Sequence, residues 1–272
     1  LRSTTTVVFC AIDNLISNAN RALAGFADFL EGLGEANIPF VPVTSRSRLQ
    51  LDATVRKFGF GHPFLAEGGC GVYLPEDYFH LKPPRSLRLG RFTCIPVAEP
   101  QPAAAEMLDT LSEETGIEVV SLSGLSPREL SQNTGLPQRE AELMRQRDFD
   151  EIFFFAGASE ADIHRFQQQA AERQAQVRSR EALWSLAIGA NLAACVKDLT
   201  QLYQRSFRAN PHNIGIATID EAAELFPSCD RCLLLSGRET SSHPVAGKHK
   251  SLPLFSADTW PEALDAVLTR QL

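Results

Sequence analysis

The chain has 272 residues, 44% of them hydrophobic and 22% charged. This suits one large globular domain, or a core carrying a second unit, and excludes a disordered chain. A formal net charge of −7 argues against nucleic acid or an anionic membrane as partner, and no apolar run approaches the ~20 residues that cross a bilayer.

Thr6–Ile12 is short, apolar and rich in β-branched residues, which predicts a buried strand. Asn20–Ala36 then places Leu23, Phe26, Ala27, Leu30 and Leu33 at helical spacing. Pro39–Thr44 reads as a second strand and Arg46–Phe58 as a second helix. Phe64–Ala66 and Val72–Leu74 are short strands around the turn Gly68-Gly69-Cys70-Gly71. Alternation of strand and helix predicts a parallel sheet with crossover helices.

Lys82-Pro83-Pro84-Arg85 breaks this rhythm and reads as a hinge. Beyond it the spacing predicts helices over Pro102–Thr115, Ser126–Gln132 and Pro137–Gln146. Strands are expected at Glu118–Ser121, Glu151–Phe155 and Leu183–Ile188. A long polar helix over Ser159–Ala175 opens on a capping box, Ser159 with Asp162. The parallel pattern then resumes: helix Asn191–Arg205, strand Asn213–Ala217, helix Ile219–Phe226, strand Cys232–Leu235 and a closing helix Trp260–Leu272. Arg238–Lys250 reads as a polar loop. The expected organisation is therefore a doubly wound parallel-sheet core (1–83 and 189–272) carrying an inserted α+β cap (84–188).

Six scattered cysteines suit free thiols in a reducing compartment. Cys229 and Cys232 form a lone CxxC, short of the second pair that a zinc site needs, and the six histidines show no ligand spacing. No basic, apolar signal-peptide pattern opens the sequence, so a cytoplasmic location is the expectation.

Several segments together resemble a known family. Thr6-Val7-Val8-Phe9-Cys10-Ala11-Ile12-Asp13-Asn14 resembles the apolar strand and Asp-x-Asp-Gly-Thr turn of haloacid dehalogenase-like phosphatases. Val41-Pro42-Val43-Thr44-Ser45-Arg46 resembles their second, phosphate-binding motif. Phe64-Leu65-Ala66-Glu67-Gly68-Gly69 and Thr134-Gly135-Leu136, with Arg147-Asp148-Phe149-Asp150-Glu151-Ile152-Phe153, resemble mannosyl-3-phosphoglycerate phosphatases of the Cof-like branch. The last stretch is the most subfamily-specific. The resemblance covers nearly the whole chain and implies an α/β, haloacid dehalogenase-like fold with an inserted cap.

Such an enzyme needs a carboxylate nucleophile, a second carboxylate two residues on, a lysine, and acids that hold Mg²⁺. By the resemblance these positions hold Ala11, Asp13, Leu192, and Thr218 with Ala222. Only Asp13, a remnant of the general acid/base, is retained. Lys197 lies five residues past Leu192, about 140° around a helix, and is a poor substitute. No metal ligand set and no cofactor are expected, Mg²⁺ being that of active relatives.

Thr44 and Ser45 are the expected phosphate contacts, or simple caps of the helix that follows. Arg46, Glu67, Gly68, Gly69, Arg147, Asp148 and Glu151 are the expected substrate contacts. For the glycines the alternative is a tight turn, and for the charged cap residues a salt-bridge cluster. The leading expectation is an inactive relative, a pseudophosphatase that binds a sugar phosphate or phosphoglycerate or regulates a protein partner. The alternatives are a working Mg²⁺-dependent phosphatase using Asp13, Asp220 and Glu221, and an interaction scaffold without ligand.

Overall fold

The structure is a computed structural model that describes residues 5–17, 24–52, 61–80, 83–180, 183–236, 249–254 and 256–269. In chain order the first elements are β1 (Thr6–Ala11), α1 (Asp13–Ser17), α2 (Phe26–Glu35), β2 (Phe40–Val43), β3 (Phe64–Ala66) and β4 (Gly71–Pro75). Two strands follow, β5 (Leu87–Leu89) and β6 (Phe92–Pro96). Next come α3 (Gln101–Thr115), β7 (Val119–Ser121), α4 (Pro127–Thr134), α5 (Gln138–Arg145), β8 (Glu151–Phe155), α6 (Glu160–Glu172), β9 (Ala175–Arg180) and β10 (Leu183–Ile188). The chain closes with α7 (Leu192–Phe207), β11 (His212–Thr218), α8 (Ile219–Leu225), β12 (Arg231–Ser236), β13 (Lys250–Pro253) and α9 (Thr259–Thr269).

Among the described residues the strands form two sheets. The larger has nine strands in the order β13-β12-β11-β1-β2-β3-β4-β6-β5. Its first six are parallel, and β4, β6 and β5 add on antiparallel. The smaller has four antiparallel strands in the order β7-β8-β10-β9.

Every residue of β1 is buried, as expected of a central parallel strand covered on both faces. Its side chains alternate between two cores. Val8 and Cys10 face one that includes Phe26, Phe29 and Trp260, whose rings pack with centroids 4.6 Å (Phe26–Trp260) and 5.0 Å (Phe29–Trp260) apart. Val7, Phe9 and Ala11 face the other, with Leu192, Val196 and Leu199 of α7. The strand's period of two thus turns Ala11 to the face on which Leu192 packs. The small sheet has a core of its own: Leu108 and Leu111 of α3 and Phe166 of α6 close over Phe153 and Leu186.

The sequence-based elements need three corrections. The stretch at 87–96, assigned to the inserted unit, pairs into the large sheet, and the small sheet's contribution starts at Gln101. The signal was weak because β5 is short and mostly exposed, with Leu87 at the surface. Second, α6 ends at Glu172, and β9 follows where no strand was expected; Arg173 closes the helix and Gln174 adopts φ 61 before the strand begins. Third, the end of the expected polar loop 238–250 contributes β13. The start of the helix expected from Asn20, the second half of the one expected to reach Phe58, most of the polar loop and the last three residues lie outside the described residues. Among the described residues no helix is long and apolar enough to cross a membrane.

Candidate functional site

The chain leaves β1 for β2 on one side and returns through β11 on the other, so the crevice at the carboxyl ends of these strands is the expected ligand site of an open α/β sheet. A cavity of about 990 Å³ opens there, walled by the strand ends, α7, α8, the turn at Gly68, and α4, α5 and β9 of the smaller sheet's unit. Its volume is at the upper end of the range for small-molecule sites.

Ala11, the last residue of β1, presents its methyl group to this cavity. Leu192 opens α7 on the same wall, with Asn191 capping the helix by accepting from the Ala194 N–H at 2.9 Å. Lys197 lies exposed further along α7, away from the cavity.

Asp13 also lines the cavity, and its carboxylate is engaged on both oxygens. Oδ1 accepts from the Thr44 hydroxyl, and Oδ2 accepts from the Ser45 N–H at 2.7 Å. Arg46 Nε stands 3.8 Å from Oδ1, and the Arg46 backbone N–H donates to Thr44 Oγ1 at 3.0 Å. Asp13 therefore holds the donors that the second motif would offer a phosphoryl group.

At the end of β11, Thr218 is buried. Asn14 Nδ2 donates to its Oγ1 at 2.7 Å, and that hydroxyl donates to Glu221 Oε2 at 2.8 Å. Burial, with Asp13 nearby, pushes the Glu221 carboxyl up to about 7. Ala222 is fully buried in the core. Ala11, Thr218 and Ala222 offer no carboxylate, and the acids that do line this wall, Asp13, Asp220 and Glu221, do not converge as the octahedral oxygen ligands of Mg²⁺ would. Among the described residues no group of three acids, histidines or cysteines converges on a point that could hold a metal ion.

The remaining expected contacts divide. Gly68 and Arg147 line the cavity; Glu67, Gly69, Asp148 and Glu151 do not. Glu67 is buried and left-handed at φ 54, and its carboxylate accepts from the N–H groups of Asp148 (3.0 Å), Phe149 (2.8 Å) and Asp150 (3.2 Å). Burial pushes this carboxyl up to about 8 against the pull of Arg147. Gly69 makes a tight approach: at φ +91, a Cβ there would lie 2.6 Å from the Leu192 backbone.

Arg147 forms a buried bidentate pair with Asp150, its Nη2 donating to Asp150 Oδ2 at 2.8 Å, and also donates to the Ser45 carbonyl at 2.8 Å. Asp148 accepts from Arg48 Nε at 2.8 Å and from the Tyr73 hydroxyl at 2.9 Å. Glu151 lies inside the smaller unit, accepting from Gln101 and Ser121. The 147–151 stretch is thus mainly a joint between the two sheets' units. Ser47 Oγ donating to the Leu143 carbonyl at 2.7 Å extends it.

Arg178 was not anticipated. From β9 it reaches across to donate to the Gly68 carbonyl at 2.7 Å, with Glu224 Oε2 3.5 Å away. The alternating residues of Ala175–Arg180 carried the signal, hidden by extending the preceding helix to Ala175.

No family model matches the chain. A glucosyl-3-phosphoglycerate/mannosyl-3-phosphoglycerate phosphatase of Methanococcoides burtonii is 26% identical over 148 residues, a match that spans 54%, about half, of each protein. The like-named protein of Persephonella marina is 21% identical over 214 residues, 77% of each. Among solved structures, a HAD-superfamily phosphatase of Bacteroides thetaiotaomicron superposes with TM-score 0.65 at 12% identity, covering 98% of this chain and 96% of that one. A haloacid dehalogenase-like hydrolase of B. subtilis gives 0.62 at 14% identity, covering 98% and 99%. The chain has the haloacid dehalogenase-like fold with a cap, and its sequence is similar to those of proteins named glucosyl-3-phosphoglycerate/mannosyl-3-phosphoglycerate phosphatase.

Proposed function

We propose that this chain is a catalytically silent relative of these phosphatases, acting as a binding or regulatory module whose cavity takes a sugar-containing ligand of the class those proteins are named for, with or without its phosphoryl group. The observation that carries the proposal is the pairing at the end of β1. A methyl group stands at Ala11, and the adjacent carboxylate of Asp13 is bound to Thr44 and Ser45. A methyl group cannot attack phosphorus. Asp13 sits two positions along the chain, past the end of the strand, so its carboxylate is displaced by several ångströms from where a nucleophile at position 11 would lie. A misplacement of about 1 Å can already cost roughly a hundredfold in rate. Leu192 supplies no charge to balance a phosphoryl group, and the loop after β11 supplies hydroxyl and methyl groups where metal acids are required.

One observation favours a second reading. Glu221 sits on the cavity wall beside Asp13 with its carboxyl raised to about 7, suited to proton transfer near neutrality. In that reading Asp13 attacks and Glu221 acts as acid and base. The engaged state of Asp13 makes it the weaker one.

Thermal unfolding with a panel of sugars and phosphoglycerate, with and without Mg²⁺, tests the proposal. A ligand at a hundred times its Kd stabilises by about 2.7 kcal/mol. The expected result is a higher Tm with a carbohydrate, and none with Mg²⁺ alone. A rise with Mg²⁺ alone, and none with any carbohydrate, would reject the binding module.

A further inference from the structure

Within the reading just given, the charge pattern of the cavity selects among the ligands. The phosphate-binding turn offers a hydroxyl from Thr44, an N–H from Ser45 and the Arg46 guanidinium. In this chain all three face one anion, the Asp13 carboxylate. The other two guanidiniums on the wall are likewise matched: Arg147 by Asp150 in a bidentate pair, and Arg178 by Glu224. Three guanidiniums and five carboxyl groups line the cavity among the described residues, and Glu140, Asp220 and Glu221 stand without a matching guanidinium on the wall. A phosphoryl group entering here would meet donors already bound and a surplus of negative charge.

We propose that Asp13 is a built-in anion that holds the phosphate-binding turn, so that the cavity accepts a carbohydrate lacking the phosphoryl group and rejects its phosphorylated counterpart. Like charge at close range disfavours the phosphorylated form, and displacing Asp13 would break a charge-assisted pair of hydrogen bonds. The wall facing the turn suits sugar. The Asn133 amide oxygen and the Ser179 hydroxyl stand beside the apolar Leu136, Met144 and Leu183, while the Asn133 N–H and the Thr134 hydroxyl bond their own helix; the mixture can bond hydroxyls and pack against the C–H face of a pyranose.

Isothermal titration tests this with inorganic phosphate as the probe, on the unaltered chain, on Asp13→Ala and on Asp13→Asn, which keeps the shape and removes the charge. Phosphate is expected to bind Asp13→Ala at least about tenfold more tightly than the unaltered chain, with Asp13→Asn between them. Glucosylglycerate and glucosyl-3-phosphoglycerate form a matched pair differing by the phosphoryl group. The unaltered chain should bind the first more tightly, and Asp13→Ala should reverse or erase that order. Equal phosphate affinity in the unaltered chain and both variants, each folding cooperatively, would overturn the assignment. So would tighter binding of the phosphorylated partner by the unaltered chain. A gain of phosphate binding in Asp13→Ala with no response to either glycoside would uphold the assignment of Asp13 and remove the carbohydrate reading beneath it.

Discussion

Two polar regions meet near Ser45, and they have fared differently. In the joint between the units, each charged side chain has a matched partner: Glu67 takes three backbone N–H groups, Arg147 pairs with Asp150, and Asp148 binds Arg48 and Tyr73. At the cavity mouth a few residues away, the positions assigned to nucleophile, lysine and metal acids hold methyl, isobutyl and hydroxyl groups. The joint keeps the two sheets in register whatever the mouth does, because buried charge without a partner destabilises the fold directly. The mouth carries no such penalty, since Ala11 and Leu192 pack into the apolar cluster beneath it. Retaining a subfamily's cap motif therefore argues for its architecture, while its chemistry rests on other residues.

Breaking the joint should have the largest effect. Glu67→Ala leaves three buried N–H groups without an acceptor and leaves Arg147 with Asp150 as its remaining acidic neighbour, and is expected to destabilise by about 3–5 kcal/mol in urea unfolding. A loss below about 1 kcal/mol would show that the joint is not what holds the units together. Gly69→Ala comes next. Its Cβ would press on the Leu192 backbone at a left-handed φ, so a loss of about 2–4 kcal/mol is expected from strain and overpacking together.

The mouth should respond to pH rather than to truncation. Because the folded-state carboxyl of Glu221 lies near 7, above its ordinary value, the stability tied to its protonated form is present below about 4.5 and lost as pH rises through about 7. Glu67 titrates in the same sense, so the comparison must be made between variants. Glu221→Gln should flatten the decline in Tm between about pH 5 and 8 relative to the unaltered chain. An unchanged slope would mean that Glu221 is solvated. The smallest effect is expected from Ala11→Asp. A carboxylate there still lacks the lysine and the metal acids, so phosphate release should stay at background.

Much of the core was legible because buried parallel strands announce themselves as apolar runs: β1, β2, β11 and β12 all fall where expected. The position of Ala11, Asp13, Thr44, Ser45 and Leu192 around one cavity follows from the same runs, since they sit at strand ends and at the start of α7. The joint was not. Glu67, Asp148 and Glu151 read as ligand contacts because a charged residue in a motif signals chemistry in sequence, and only the pairing of Glu67 with N–H groups some 80 residues away shows otherwise. β5 escaped because a short, exposed edge strand has no strong apolar period, and β6, though largely buried, because it follows the Lys82–Arg85 break that reads as the start of the inserted unit; Arg178 escaped because its contact is to Gly68 across the two units.

The central claim is that the mouth cannot transfer a phosphoryl group. Phosphate release from mannosyl-3-phosphoglycerate in the presence of Mg²⁺, followed for the unaltered chain and for Asp13→Ala, tests it most directly. The account predicts background release from both. Turnover by the unaltered chain that disappears in Asp13→Ala would contradict it and establish Asp13 as a working nucleophile.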